Sequence, residues 1–371
     1  MGVDGMIYLD NGATSFYKPP TVYKAMFRSL RTCANPGRGG YPAAMEAART
    51  VFRCREEAAA LFDCEEEQVV LTTNCTHGLN LAIRSLVKAG TKVVISGFEH
   101  NAVTRLLHLL DANVTVAGRK LFDWEDSLRD FEQALQKGAQ VAVFTHVSNV
   151  FGYILPVEEM AQLCHKYQVP FILDAAQSAG MLPLSLRKLG AAFIAMPGHK
   201  GLLGPQGTGI LLCGRIPEPL LVGGTGSESK IQTMPEYLPD RVEAGTLNVP
   251  GIAGLAAGIH YLRSGNMASV FRREQNGAGE CAQRLKRFGF QVFFGPHQGG
   301  TVSFVPPMDC EKMAQKLAWR GIAVRAGLHC APLAHESAGT LETGTVRVSF
   351  GHDADIRQIL ALEREIGRIM K

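Results

Sequence analysis

Several features that would quickly place a protein are missing from these 371 residues. No basic block runs along the chain and its formal net charge is only +4, so it lacks the electrostatic footprint of a nucleic-acid binder. No apolar stretch nears the roughly 20 residues that cross a bilayer, and no membrane association is expected. The opening MGVDGMIYLD has neither the basic n-region nor the apolar h-region of a signal peptide, and Met6 breaks the myristoylation pattern. Nine cysteines are present, an odd number, but none forms a CxxC pair or a zinc spacing. A reduced, cytoplasmic protein without a bound metal is expected. The motifs GK[ST], HExxH and GxSxG are absent. The glycines of GPQGTG (204–209) do not follow a strand and open a helix, as a dinucleotide fingerprint requires.

What is present is ordinary globular material, 46% hydrophobic and 19% charged, enough for a large core. Short β-rich runs recur at 68–73 (QVVLTT), 91–96 (TKVVIS), 113–118 (NVTVAG), 139–147 (AQVAVFTHV), 169–174 (VPFILD), 191–196 (AAFIAM) and 208–213 (TGILLC). Between several of them lie segments with apolar residues three and four apart, such as THGLNLAIRSLVKAG and PVEEMAQLCHKYQ. Nearly continuous apolar strands alternating with helices predict an α/β fold around a mostly parallel, buried sheet. Residues 214–250 read as loop, rich in Gly, Pro and Ser. A long helical segment from Gly251 then leads into further strand–helix units, with TVSFVP and TVRVSF as strands. The expectation is a large domain over 1–250 and a smaller α+β domain over 251–371, with residues 1–15 able to pack on the latter.

In an open parallel sheet the loops after the strands converge on a crevice where ligands bind. Here those loops carry Asn74-Cys75-Thr76-His77-Gly78, Glu99-His100-Asn101, His146 with Ser148 and Asn149, Asp174 with Gln177, and His199-Lys200. Each has a plain reading: a histidine satisfied in the core, Asp174 as a helix cap, Lys200 as a solvated charge. Their concentration at five strand ends favours a site. A helix N-terminus carrying Thr76 suits a phosphate, a strand-end Asp suits a pyridinium nitrogen, and a lysine amine suits a Schiff base. Together these are the demands of pyridoxal 5'-phosphate.

The chain resembles the cysteine desulfurase/selenocysteine lyase group of class V, fold-type I pyridoxal phosphate enzymes. The motifs that carry the resemblance span nearly its whole length: YLDNGATS (8–15), NPGRGG (35–40), TTNCTHGLN (72–80), EHNA (99–102), THVSNVFG (145–152), DAAQSAG (174–180), GHK (198–200), EAGTLN (243–248), RAGLHCAP (325–332) and VRVSFG (346–351). The resemblance implies a fold-type I transferase architecture with the catalytic cysteine in the smaller domain. It implies that Lys200 holds the cofactor and moves the substrate's α-proton. Asp174 would pair with the ring nitrogen, Gln177 with the phenolic oxygen, and His100 would stack on the ring and help shuttle protons. Thr76 and His199 would hold the phosphate, with Thr246 reaching it from a second subunit of a homodimer. Asn149 and Arg347 would orient the substrate carboxylate.

Cys330 would accept sulfur from L-cysteine, leaving L-alanine and a persulfide for an acceptor protein. Selenocysteine lyase, or another class V aminotransferase or β-lyase, is the alternative activity. The thiolate this requires calls for an electropositive setting, for which His329 and Arg325 are candidates. The sequence departs from the family pattern in three ways. Cys75 stands where a second hydroxyl residue precedes Thr76, Pro197 stands where a serine precedes the GHK glycine, and the GLLGPQG loop has an extra residue.

Overall fold

The computed structural model describes residues 5–37 and 39–371. Strand β1 (Ile7–Tyr8) is followed by helices α1 (Pro20–Thr32) and α2 (Pro42–Phe62). The alternation then begins: β2 (Val69–Thr72), α3 (Cys75–Leu86), β3 (Lys92–Ser96), α4 (Asn101–Leu109), β4 (Asn113–Ala117), α5 (Trp124–Gln136), β5 (Val141–Thr145), α6 (Val157–Lys166), β6 (Phe171–Asp174), α7 (Leu186–Leu189), β7 (Phe193–Pro197) and β8 (Gly209–Cys213). After a long irregular stretch come α8 (Val249–Tyr261), α9 (Met267–Arg287), β9 (Gln291–Phe293), β10 (Thr301–Val305), α10 (Cys310–Trp319), β11 (Ile322–Ala323), β12 (Arg325–Gly327), α11 (Pro332–Ala338), β13 (Thr345–Ser349) and α12 (Ile356–Ile369). No helix among the described residues is long and apolar enough to cross a membrane.

β2 to β8 form one seven-stranded sheet in the order β2-β8-β7-β6-β5-β3-β4. It is parallel except at β8, which runs antiparallel to both its neighbours. β5, β6, β7 and β8 are buried at every position, as sheet covered by helices on both faces requires. Two apolar clusters cover the two faces, one including Phe144, Phe171 and Leu173 and the other Val143, Ile172 and Phe193. A third cluster is built from α9, α10, α12 and the strands β10 and β13, and it includes Leu9 from the N-terminal segment.

The chain's beginning is sewn into that third cluster. β1 pairs in parallel with β11, matching Ile7 to Ile322, and Asp10 bridges to Ser349. Residues 1–4 of this N-terminal stretch lie outside the described residues. The smaller sheet runs β12-β13-β10-β9 and is antiparallel throughout. Helix α8 packs Val249, Ile252, Leu255 and Ile259 into the large-sheet core, so the chain between the two sheets is anchored on the larger one.

The irregular stretch 214–248 is held by one buried ion pair. Glu243 takes a two-pronged contact from the Arg55 guanidinium, at 2.9 and 2.6 Å, and also accepts the Leu71 amide at 2.6 Å. Both side chains are at most 8% exposed, and the pair ties the EAGTLN segment to α2 and β2. Removing one partner strands a charge in low dielectric. Arg55→Ala is expected to cost about 3–5 kcal/mol, read as a lowered midpoint in denaturant titration. A change within about 0.5 kcal/mol, typical of a surface substitution, would contradict the anchoring role.

Candidate active site

The carboxyl ends of β2, β3, β5, β6 and β7 share one edge of the large sheet, and the loops after them build the site. Asn74 caps α3: its side-chain oxygen accepts the His77 amide at 2.9 Å. That cap uses the third amide of the helix and leaves the Cys75 and Thr76 amides, which have no partner within the helix, directed outward at its positive end. Thr76 itself is exposed. His77 turns back to Thr73, at 3.3 Å from its hydroxyl.

Asp174 ends β6 and is 3% exposed. Its Oδ1 accepts the Ala176 amide at 2.9 Å and the Cys75 thiol at 3.5 Å. Burial, followed by the Asp174 charge, pushes the Cys75 thiol well above the ordinary range, so this departure from the family pattern is a neutral donor to the carboxylate. His100 caps α4; its Nδ1 accepts the Ala102 amide at 3.0 Å, which leaves the proton of the neutral ring on Nε2. Burial lowers the His100 pKa, and the Asp174 charge opposes that shift while Lys200 adds to it, so the three groups share one field.

Lys200 follows β7. The turn that delivers it needs Gly198, because a Cβ there would collide with the Thr208 hydroxyl. Pro197, the last residue of β7, lies opposite Gly209, and the strand pair continues from Gly198 N–H to Thr208 O at 2.8 Å. The Lys200 amine has no hydrogen-bond or carboxylate partner among the described residues. Burial, then the Arg347 charge, lowers its pKa to about 8, with Cys75 and Asp174 pulling the other way. Lys200 is half-buried in the wall of a cleft, a setting that differs from that of a freely solvated lysine. A lowered pKa raises the neutral, nucleophilic fraction as pH climbs through about 8. Labelling of Lys200 by an aldehyde and hydride reductant, in protein stripped of any bound carbonyl compound, should be half-maximal near pH 8. A midpoint above 10, near that of an ordinary lysine, would contradict the lowered pKa.

The remaining predicted positions are placed as follows. Gln177 donates its side-chain amide to the Gly12 carbonyl at 3.0 Å. The His199 ring lies 3.0 Å from the Thr14 hydroxyl, and its pKa is lowered to about 4, chiefly by burial and then by Lys200. Thr246 is exposed on the 214–248 stretch. Arg347 is 1% exposed and is not an open fork: one nitrogen donates to Asp10 Oδ1 at 2.6 Å, another to the Asn149 carbonyl at 2.9 Å, and its Nε is buried without a partner. Asn149 sends its amide to the His329 carbonyl at 2.8 Å. Cys330 is the exposed one of the nine cysteines.

Two strand-end histidines do not behave as site groups. His146 is buried, and burial lowers its pKa to about 4; it is a neutral core side chain. His329 cannot supply the positive charge expected beside Cys330. It is buried, 3.2 Å from the Thr345 carbonyl and stacked on His335 at 5.8 Å, and burial followed by the Arg347 charge lowers its pKa to about 2. Arg325, the other candidate, is exposed, without a salt-bridge partner among the described residues, and opposite Arg347 in the β12–β13 ladder; its charge reaches His329.

The sequence reading gave no individual role to three groups, of which only Glu99 stood in the strand-end cluster. Asp10 neutralises Arg347 across 337 positions of chain. Glu99, wholly buried, accepts the Thr145 amide at 2.8 Å, and burial raises its pKa to about 8. Glu274 of α9 lines a cleft of about 650 Å³, open mouth included, whose opposite wall carries Asn11, Gly12, Gln177 and Lys200. Only the buried-strand pattern around Glu99 carried any signal, as a charge beside an apolar run.

This arrangement can be set beside known proteins. The sequence profile of class-V aminotransferases matches residues 7–362. The chain belongs to the class-V aminotransferase family. Among proteins similar to this class-V chain is a probable cysteine desulfurase of Methanothermobacter thermautotrophicus, 32% identical over 92% of this chain and 89% of that one. A probable cysteine desulfurase of Pyrococcus abyssi is also 32% identical, over 93% of this chain and 89% of its own length. The apo structure of a cysteine desulfurase from Thermococcus onnurineus superposes with a TM-score of 0.88 at 31% identity, covering 98% of this chain and 94% of the other.

Proposed function

We infer that this chain is a cysteine desulfurase that uses pyridoxal 5'-phosphate to convert L-cysteine to L-alanine and leaves the sulfur as a persulfide on Cys330. The observation that carries the reading is the half-buried Lys200, its amine without a hydrogen-bond partner among the described residues, in the wall of a cleft and within the field of Asp174, Arg347 and Arg325. Names of similar proteins over nearly the full length support the same activity.

The residues fit the cofactor. The free amides of Cys75 and Thr76 at the start of α3, the Thr76 hydroxyl and His199 would hold the phosphate. Asp174, kept oriented by Ala176 and Cys75, would hold the ring nitrogen. Gln177 has a second amide hydrogen left to donate to the ring oxygen, and His100 would cover the ring. When bound, pyridoxal phosphate supplies an electrophilic carbon and a ring that spreads the negative charge developed at the substrate's α-carbon.

The chain's own groups do the rest. The Lys200 amine, with a pKa near 8, is poised to take the α-proton and return it. Arg325, Arg347 and Asn149 would orient the substrate carboxylate, Arg325 being the one arginine without a carboxylate already on it. The Cys330 thiolate would attack the substrate sulfur: an S–S bond forms, the C–S bond breaks, and the bonding pair stays on carbon and is protonated to the methyl group of alanine. The thiol sulfur is oxidised as the substrate carbon is reduced, so no outside oxidant is needed. Exposure of Cys330 lets a nucleophilic acceptor protein collect the terminal sulfur.

The proposal extends to a homodimer in which the exposed Thr246 reaches the partner's phosphate, to a division into large and small domains near residue 250, and to a cytoplasmic setting. The nine cysteines, all free, accord with a reducing compartment. Alanine release from L-cysteine by the purified protein, with and without added pyridoxal phosphate, tests the activity. Amino transfer to a keto acid in place of alanine release would overturn it.

A further inference from the structure

Cys330 sits at the tip of a four-residue turn, Leu328 to Ala331, closed by the Ala331 amide on the Leu328 carbonyl at 2.9 Å. Both central residues have positive φ, +49° at His329 and +57° at Cys330. Turns of this kind favour glycine and asparagine, because a side chain crowds the backbone in the left-handed region. Neither residue here is of that type. Left to itself, the tip would relax to other conformations, so something must hold it.

The structure provides three ties, each on a different partner. The Asn149 side-chain amide donates to the His329 carbonyl at 2.8 Å. The Asn101 main-chain amide donates to the Cys330 carbonyl at 2.7 Å. The His329 ring reaches Thr345, 3.2 Å from both its carbonyl and its hydroxyl. The footing under Asn149 is itself fixed. Buried Ser148 and Val150 flank it, Val150's carbonyl accepts the Ser303 hydroxyl at 2.6 Å, and the Asn149 carbonyl accepts Arg347.

We propose that Asn149 is a positioning residue for Cys330: its amide pins the strained turn that presents the thiol, in addition to any hold on substrate. The role of Cys330 as sulfur acceptor rests on the function proposed above, but the pin does not. Asn149 is the only one of the three ties made by a side chain of the large-sheet loops. It therefore joins the floor that carries Lys200 and Asp174 to the segment that carries the thiol. One N–H of the amide is spent on His329, and the other remains for a carboxylate oxygen, so the same group would set the distance between substrate and thiol.

Asn101 is the first residue of α4, and its amide has no intrahelical acceptor; the Cys330 carbonyl is what protects it. Its hydrogen exchange thus reports the turn directly, without turnover. In the full-length protein without substrate, the Asn101 and Ala331 amides should exchange slowly. In Asn149→Ala and Asn149→Asp, neither of which can donate to His329, both amides should exchange about fivefold faster, the loss expected for one hydrogen bond. Amides within β5 and β6 should be unchanged, which separates a loosened turn from general destabilisation. Unaltered exchange at Asn101 and Ala331 in folded variants would overturn the pin. If neither variant folds, unprotected amides at these two positions in the unsubstituted protein would overturn it equally. A protein that shows the exchange effect yet forms no persulfide on Cys330 would leave the pin standing and refute the desulfurase reading instead.

Discussion

Lys200→Ala is expected to lose at least about 10³-fold in alanine formation and to lose the covalent absorbance band of bound pyridoxal phosphate. The reason is local. Lys200 is half-buried with no carboxylate paired to its amine among the described residues, and burial lowers its pKa to about 8. No neighbour can take over. Lys18 also has a lowered pKa, about 8, but its amine is committed to the Ser15 carbonyl and hydroxyl at 2.8 and 2.7 Å. Adding a small primary amine should restore part of the activity, with a pH dependence set by that amine's own pKa in place of Lys200's. Retention of the band and of more than a tenth of the activity in the variant would remove Lys200 from its assigned place.

Cys330→Ala is expected to behave in the opposite way at the cofactor. The band should be unchanged in position and intensity, since Cys330 is exposed at a turn tip and Asp174, Lys200 and His100 are untouched. Persulfide on the protein should vanish, and alanine formation from L-cysteine should fall by about 10² or more, the scale of losing a positioned nucleophile. Seven of the eight other cysteines are poorly suited to substitute, and the eighth, Cys33, lies against Thr50 of α2, outside the loops that build the site. Cys54, Cys164, Cys213, Cys281 and Cys310 are buried, and burial pushes each of their thiols well above neutral pH. Cys64 is also raised, to about 12, and Cys75 faces Asp174. Persulfide formation at an undiminished level in Cys330→Ala would refute the assignment.

How much of this was legible in the residues varies with the length scale of the cause. Strands β5, β6 and β7 were readable because a strand buried on both faces must be apolar along nearly its whole length, and VAVFT, FILD and FIAMP are, with polar residues only at the ends of the first two. Helices α3 to α6 were readable because one face meets the sheet and the other meets water. The strand-end cluster was readable from topology, since parallel strands put their following loops on one edge. What no local pattern contained was pairing over long range. The Ile7–Ile322 register, the antiparallel insertion of β8 between β2 and β7, and the Asp10–Arg347 ion pair each depend on segments brought together only by the finished fold.

Charge states failed for the same reason. His329 next to Cys330 invites a cationic role, yet its protonation is decided by burial against Thr345 and His335 and by the Arg347 charge, neighbours that only the finished fold brings around the ring. Arg325 keeps its charge unpaired among the described residues, its own strand partner being another arginine. Cys75, a departure from the family pattern, proved to be a neutral donor to Asp174, a contact between β2's loop and the end of β6 that spacing alone does not disclose.

The account turns on Cys330 receiving sulfur from a substrate activated at Lys200. The most direct measurement is a single turnover with L-cysteine, without reductant or acceptor, followed by alanine quantitation and peptide mass spectrometry. The account predicts one alanine released for each protein chain that gains a single sulfur atom, with the added sulfur on the peptide containing Cys330. Alanine released with no sulfur gained at Cys330, or sulfur found on another cysteine, would contradict it.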